Sequence, residues 1–416
     1  MRGHDLRAQL DVFLAEHEAE MAAFRRDIHA NPELAYAEYR TTRQVADRLV
    51  RAGLRPVPLP KGTGLLVDVG PDDGPTIGLR ADIDALPLAD EKDVPYRSTV
   101  PGACHACGHD VHTTVLTGTG IFLAQQAAAG VLPGRVRLIF QPAEELPGGA
   151  LDVLSAGGLA GVDRVFALHC DPAIEVGHVG LRVGAITSAC DKVTVRLTGP
   201  GGHTARPHLT ADLVYALGKI VTELPAALSR RVDPRSSLSL VWGRISAGSA
   251  PNAIPDVGIA EGTVRCLDDE AWHIAPDLLK SLLDSVADAY GVQAELEYHR
   301  NVPPTVNEET SVQMFRDAVS RVLTPAAEAP TPQSLGGEDF AWLLESVPGA
   351  MARLGTRSPD GGVPMDLHRG TFDVDERAIG VGIRVMAGTA ITALWEGART
   401  TTGNVDVPPA ETIDYV

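Results

Sequence analysis

The sequence predicts an α/β protein: a mixed central sheet flanked by helices, with an α+β domain inserted into it. Three observations carry this reading. Several apolar runs of strand length end abruptly in ionisable residues, with helical stretches between them. From about Cys190 the texture changes to polar–apolar alternation. The chain's 416 residues suit two or three domains better than one.

Residues 7–29 read as a helix, because Leu10, Phe13, Leu14, Met21 and Phe24 recur at roughly helical spacing. A second helix is expected over 40–52, stopped by Gly53. The run 76–79 ends in Arg80-Ala81-Asp82-Ile83-Asp84. The run 136–140 ends in Gln141-Pro142-Ala143-Glu144-Glu145, and the run 164–168 ends at His169. Open α/β sheets build their sites at the carboxyl ends of strands, so three segments deliver chemistry to one edge. A helix over 111–128, with Gly130 as its stop, lies between the first two runs.

Residues 191–198 alternate as a half-buried strand does. Helices over 210–228 and 269–289 and strands over 237–243, 259–267 and 292–298 follow. The order β-α-β-β-α-β is that of a ferredoxin-like sandwich. The expected domains are therefore 1–186, an insertion at 187–302, and a return to the first domain over 303–416. That return includes a helix over 311–323, an apolar run over 350–354, and Leu367-His368. The polar tail beyond Arg399 is expected to be poorly ordered.

Asp and Glu outnumber Lys and Arg by 54 to 36, a net charge of −18, which argues against nucleic acid or an anionic membrane as partner. The sequence has no unbroken apolar run of 18 residues and its first 27 residues are charged throughout, so no membrane span or signal peptide is expected. Five cysteines (104, 107, 170, 190 and 266) are few and irregularly spaced, which fits a reducing cytoplasm.

The chemistry concentrates in Cys104-His105-Ala106-Cys107-Gly108-His109-Asp110-Val111-His112. Thiolate beside imidazole is what a zinc-like divalent cation selects. Cys107 and His109 are two apart and cannot share a helical face, so they fit an extended loop before a helix. His105 and His112 fit orienting roles better than ligand roles. Glu144-Glu145 would repel each other unless a cation lay nearby. One can bind that cation while the other handles protons. Asp82 and Asp84 are candidates to orient ligands or bridge to the metal. Gly201-Gly202-His203 permits close backbone approach, and His203 is a candidate donor to a substrate oxygen.

The sequence also resembles the aminoacylase, hippurate hydrolase and indole-acetyl-amino-acid amidohydrolase branch of the glutamate-carboxypeptidase-like, zinc-dependent exopeptidases. The resemblance rests on blocks in the family's order. They are residues 25–34 (RRDIHANPEL), 80–87 (RADIDALP), 105–112 (HACGHDVH), 141–145 (QPAEE), 202–208 (GHTARPH), 337–340 (GEDF) and Leu367-His368. It implies a zinc-exopeptidase-like catalytic domain and an inserted domain that dimerises. It also implies two divalent ions per subunit (Zn, Mn, Co or Ni) held by Cys107, His109, Glu145, His169 and His368. Glu144 would be the general acid/base and His203 would polarise the scissile carbonyl from the partner subunit, and Asp84 stands with them as a catalytic candidate. Asn252 and Arg265 match positions that contact the carbonyl and the substrate carboxylate. The implied activity is hydrolysis of an N-acyl amino acid by a cytoplasmic homodimer, with a dipeptidase or aminopeptidase as the rival. Two departures stand out: Cys104 where relatives commonly carry Met, and Arg369-Gly370 where they often carry Ser-Pro.

Overall fold

The computed structural model describes residues 3–146, 148–361 and 366–401. The described chain forms two compact units. One takes in the described residues within 3–181, 309–330 and 347–401, the other 182–308 and 331–346. The principal elements of the first are α1 (Gly3–Ala30), α2 (Tyr39–Arg51), β1 (Leu65–Val69), β2 (Thr76–Asp82), α3 (His109–Ala128), β3 (Arg135–Gln141) and β4 (Arg164–Glu175). The second contributes β5 (Ala189–Thr198), α4 (Leu213–Leu228), β6 (Ser239–Ala247), β7 (Val257–Cys266), α5 (Asp269–Ala289) and β8 (Gln293–Val302). The chain then returns to the first unit with α6 (Glu309–Val322), β9 (Gly349–Arg357) and α7 (Arg377–Thr401).

The large sheet of the first unit is mixed. Its centre runs β1-β3-β2-β4-β9, extended by two-residue strands at both edges. β3, β2, β4 and β9 are parallel neighbours and β1 pairs antiparallel to β3. Every residue of β2 is buried, as befits a parallel strand covered on both faces. Asp82 and Gln141 are register partners, so the two polar segments that follow β2 and β3 leave the sheet side by side. β4 runs past His169 to Glu175 because β9 keeps pairing with it. His169 therefore lies within a strand, not at the end expected from the apolar run.

α7 went unread in the sequence. Its segment Arg377–Ala398 is long and apolar enough to cross a membrane by composition alone, which the absence of an unbroken apolar run had concealed. Within the protein 83% of its most apolar window is buried. It packs against α1, α3 and α6 in the core around Leu10, Phe24, Leu116, Phe315 and Ile383.

The second unit has a four-stranded antiparallel sheet in the order β6-β7-β5-β8, with α4 and α5 packing on it. In chain order its strands lie fourth-first-third-second across the sheet, the ferredoxin-like arrangement. This unit is wider than the expected 187–302. Residues 331–346 group with it, and the Trp342 indole donates to the Asn301 carbonyl (2.9 Å) and meets the Trp272 ring edge-on. The Gly337–Phe340 block, expected in the first domain, therefore sits in the second unit. The tail from residue 402 lies outside the described residues.

Candidate metal centre and donor histidine

The centre is built where β2, β3 and β4 meet the N-terminus of α3. Gly108 caps α3 with φ 92°, and a side chain there would drive into the Cys170 sulfur, so only glycine suits the turn. The turn holds Cys107 and His109 on either side of it. Cys107, His109 and His169 present one ligand atom each within 4.8 Å of one another. The same holds for Cys107, Glu145 and His368, and for His109, Glu144 and Glu145. The structure thus brings together Cys107, His109, Glu144, Glu145, His169 and His368, all in the first unit.

Hydrogen bonds decide which ring nitrogens can ligate. His109 Nδ1 faces the Asp84 carbonyl (3.0 Å) and must donate to it, so Nε2 is the nitrogen able to ligate. Burial lowers the ring's pKa, but Asp82 and Cys107 outweigh it and hold it well above the usual value, and a bound cation would take the place of the Nε2 proton. That Nε2 is buried with no hydrogen-bond partner and lies 3.9 Å from both Glu144 Oε2 and Glu145 Oε1. His169 Nδ1 donates to the Cys170 carbonyl (2.8 Å), so its Nε2 lone pair points at Cys107 Sγ, 3.6 Å away. Burial, with help from Arg353, holds His169 well below its usual pKa and so neutral. Arg353 is the register partner of His169 on β9 and was not singled out in the sequence. Its signal was a lone charge in an apolar strand.

His112 is different. Cys170 N–H donates to its Nε2 (2.8 Å), and its Nδ1 donates to Asp82 Oδ1 (2.6 Å). Both nitrogens are occupied, so His112 orients and does not ligate. His105 is buried, and burial pushes it down to about 3.

Asp84, read from the sequence as a catalytic candidate, has both oxygens engaged by protein groups. Oδ1 lies 3.2 Å from His109 Nδ1 and Oδ2 accepts the Glu145 N–H at 3.1 Å. These contacts make it a positioning residue. Asp110 accepts from Arg25 (2.6 Å) and His29 (2.7 Å), which pins the start of α3 to α1. That explains the Arg25 and His29 block. His368 takes a left-handed φ of 61° and is tied by its N–H to the Ala106 carbonyl (2.8 Å). Its Nε2 lies 3.2 Å from Glu145 Oε1.

The donor set fits divalent ions. The His109 Nε2 atom is buried without a hydrogen-bond partner, a costly arrangement that a cation would relieve, and Glu145 Oε1 has the His368 ring 3.2 Å away. Burial pushes the Cys107 thiol up to about 12, so a bound cation is what would ionise it. Cys104 belongs to a separate group. Its sulfur faces Lys92 Nζ (3.6 Å), which also pairs with Asp90 (2.9 Å). Arg369 is exposed.

The second unit brings His203 and Asn252 together. A two-residue ribbon pairs Ala253 with His203, and the Thr204 N–H donates to the Asn252 carbonyl (3.2 Å). The Ala205 N–H donates to His203 Nδ1 (3.0 Å), which puts the ring proton on Nε2, and the residue is exposed. Arg265 on β7 donates to the Leu335 carbonyl within the same unit.

Comparison with known proteins agrees with this geometry. Residues 78–392 match the sequence profile of peptidase family M20/M25/M40. A Bacillus subtilis (strain 168) N-acetyl-L-cysteine deacetylase is 38% identical over 369 residues, spanning 88% of this chain and 86% of that protein. A Rhodococcus jostii (strain RHA1) protein with the provisional name glutamate–cysteine ligase 2-3 is 49% identical over 379 residues. That match takes in 91% of this chain and 47% of the longer protein, so the chain spans about half of that relative. Among solved structures, a Bacillus subtilis protein described as a dinuclear metal-binding peptidase of the M20 family superposes with a TM-score of 0.81 at 33% identity. The superposition covers 92% of this chain and 99% of that one. With the profile matched over most of its length and a 38% identical relative covered almost throughout, the chain belongs to peptidase family M20/M25/M40.

Proposed function

We propose that the protein is a metal-dependent amidohydrolase that cleaves the amide of N-acyl amino acids or similar small conjugates. The observation that carries this is the buried His109 Nε2, without a hydrogen-bond partner, set beside Cys107 and the Glu144-Glu145 pair. Cys107, His109, Glu145, His169 and His368 would hold two divalent ions, for which Zn, Mn, Co and Ni all suit the donors. When bound, such ions acidify water and polarise a carbonyl. Glu144 takes the proton of the attacking water and returns it to the leaving amine. Asp84 fixes the His109 ring and the Glu145 backbone during these steps. The His203 Nε2–H donates to the oxygen that becomes negative, Asn252 assists, and Arg265 forks onto the substrate carboxylate.

The deacetylase relative supports an N-acyl substrate, and the dinuclear structural neighbour supports two ions. We further propose a homodimer formed through the second unit, with His203 serving the partner's site. Edge strand β6 exposes Val241 (62%) and Ile245 (53%), apolar surface of the kind a partner covers. All five cysteines are free, which supports a reducing compartment such as the cytoplasm.

The test is a hydrolysis screen of the apo-protein reconstituted with each metal in turn. Its substrates are N-acetyl and N-benzoyl amino acids and free dipeptides. Release of free amino acid from the N-acyl series is expected. Turnover of dipeptides alone would replace this reading with a peptidase, and no turnover with any metal would defeat it.

A further inference from the structure

The loop that carries Glu144 and Glu145 is strained and held from outside. Among the described residues only four non-glycine positions have a positive φ, and Ala143 (52°), directly before Glu144, is one of them. L side chains rarely adopt that conformation, so something must over-determine it. Part of the hold has been described: Asp84 accepts the N–H of Glu145.

The other part comes from residues 36–38, over a hundred positions earlier. Glu38 Oε1 accepts the Ala143 N–H at 2.8 Å. Glu38 is fully buried, and it stands at the N-cap of α2, where an acid ordinarily caps its own helix. Here it makes no such side-chain bond; Oε1 reaches the distant loop, while Oε2 is buried without a hydrogen-bond partner. Burial pushes that carboxyl up to about 7, an expense that capping from the surface would have avoided. Tyr36 has a left-handed φ of 64°, and its hydroxyl lies where a Gly148 side chain would sit, 2.7 Å from the built Cβ position. Gly148, at φ 125°, ends the same loop. Residues 36 and 38 therefore touch the loop at both of its ends.

We propose that Glu38 is a positioning residue for catalysis. With Asp84 it clamps the backbone amides on either side of Glu144 and so aims that carboxylate. The clamp needs an acceptor oxygen at the end of a five-atom side chain. It does not need the charge. The proposal rests on the amide-hydrolysis reading for its kinetic consequence, but the clamp itself can be observed without any substrate.

The first measurement is hydrogen exchange of the amides within 142–149, which positions 143–146, 148 and 149 carry, in the metal-loaded protein. Glu38→Ala should exchange there at least several-fold faster than wild type, while Glu38→Gln, which keeps the acceptor oxygen, should stay close to wild type. The second is steady-state kinetics on an N-acyl amino acid that the wild type turns over. Glu38→Ala should lose on the order of 10- to 100-fold in kcat with KM and metal stoichiometry retained, and Glu38→Gln should restore most of it. A merely structural role would lower the melting temperature and active fraction, leaving kcat per folded, metal-loaded site unchanged. Should Glu38→Ala fail to fold, Glu38→Asp replaces it. Its charge is kept but its reach is one methylene short, so it should show the same losses. Unchanged exchange over 142–149 in both shortened variants overturns the clamp. Faster exchange with an unchanged kcat overturns the catalytic role. An inactive wild type would defeat the amide-hydrolysis reading and leave the exchange result to judge the clamp alone.

Discussion

In the first unit Cys107, His109 and His169 are buried, and a backbone carbonyl takes the Nδ1 proton of both imidazoles. In the second unit His203 lies exposed on a two-residue ribbon, and Asn252 lies exposed in the turn just before its second strand. The contrast follows from what each group must do. A metal site needs donors fixed in advance in a medium that does not compete for them. Their burial leaves lone pairs without partners until a cation arrives. In the proposed role, His203 must be reachable by a substrate oxygen, and its preorganisation is limited to the single bond that sets its tautomer. The sheets differ likewise. β2 is buried on both faces, whereas β6 leaves most of its residues exposed.

The sharpest way to break this comparison lies inside the buried cluster. Glu144→Gln should lower kcat by on the order of 1,000-fold with metal content retained, because shape is kept and only the base is lost. Glu145→Gln should instead lose metal. Metal analysis of both variants decides it, since equal loss would mean that the two carboxylates are not divided in role.

The exposed ribbon is tested next. His203→Ala alone should cost on the order of 100-fold in kcat, as loss of one oxyanion donor does. Mixed with Glu144→Gln protein and allowed to exchange subunits, it should recover about a quarter of wild-type activity, since half the dimers pair the two lesions and one of their two sites is whole. Exchange without recovery would place His203 in its own chain's site.

Arg265→Leu should raise KM roughly 10-fold or more for substrates with a free α-carboxylate and spare their amides, the usual worth of a hydrogen bond to a charged group. Equal effects on acid and amide forms would leave Arg265 as the partner of the Leu335 carbonyl and nothing more.

The smallest effect concerns acid. Asp90 is buried, which alone would raise its pKa. Bonds from the Ser98 N–H and from Lys92 outweigh this and bring it down to about 2. Its contribution to stability is therefore present above the ordinary carboxylate range and lost as pH falls through about 2. Asp191 in the second unit is raised by burial, so its contribution is weakened as pH rises through its folded value and restored on acidification. Between pH 4 and 2 the first unit should lose protection against amide exchange before the second does. Earlier opening of the second unit would contradict this balance.

Much of the candidate site was legible because residue types able to ligate a metal are chemically rare and here stand close in sequence. Cys107-Gly108-His109 and Glu144-Glu145 could be picked out by type and spacing alone. The alternation from residue 191 likewise marked the second unit's sheet. Other features had no local signature. β4 continues past His169 because a strand some 180 residues later pairs with it. Arg353 acts on His169 through that same register. Residues 331–346 join the second unit through Trp342, which a linear reading assigns to the returning first domain.

The amino-acid sequence by itself determined the donor types, their order and the strand-loop-helix setting that brings them to one sheet edge. What only the tertiary structure decided is which atoms are available. His109 and His112 are three residues apart on one helix and identical in type. His112 has both nitrogens bonded, one to an N–H 58 positions away, while the His109 Nε2 has no hydrogen-bond partner. An imidazole's tautomer is set by whichever donor or acceptor the fold places against it. Those partners arrive from distant strands, so no spacing rule within the helix can distinguish the candidate ligand from its support.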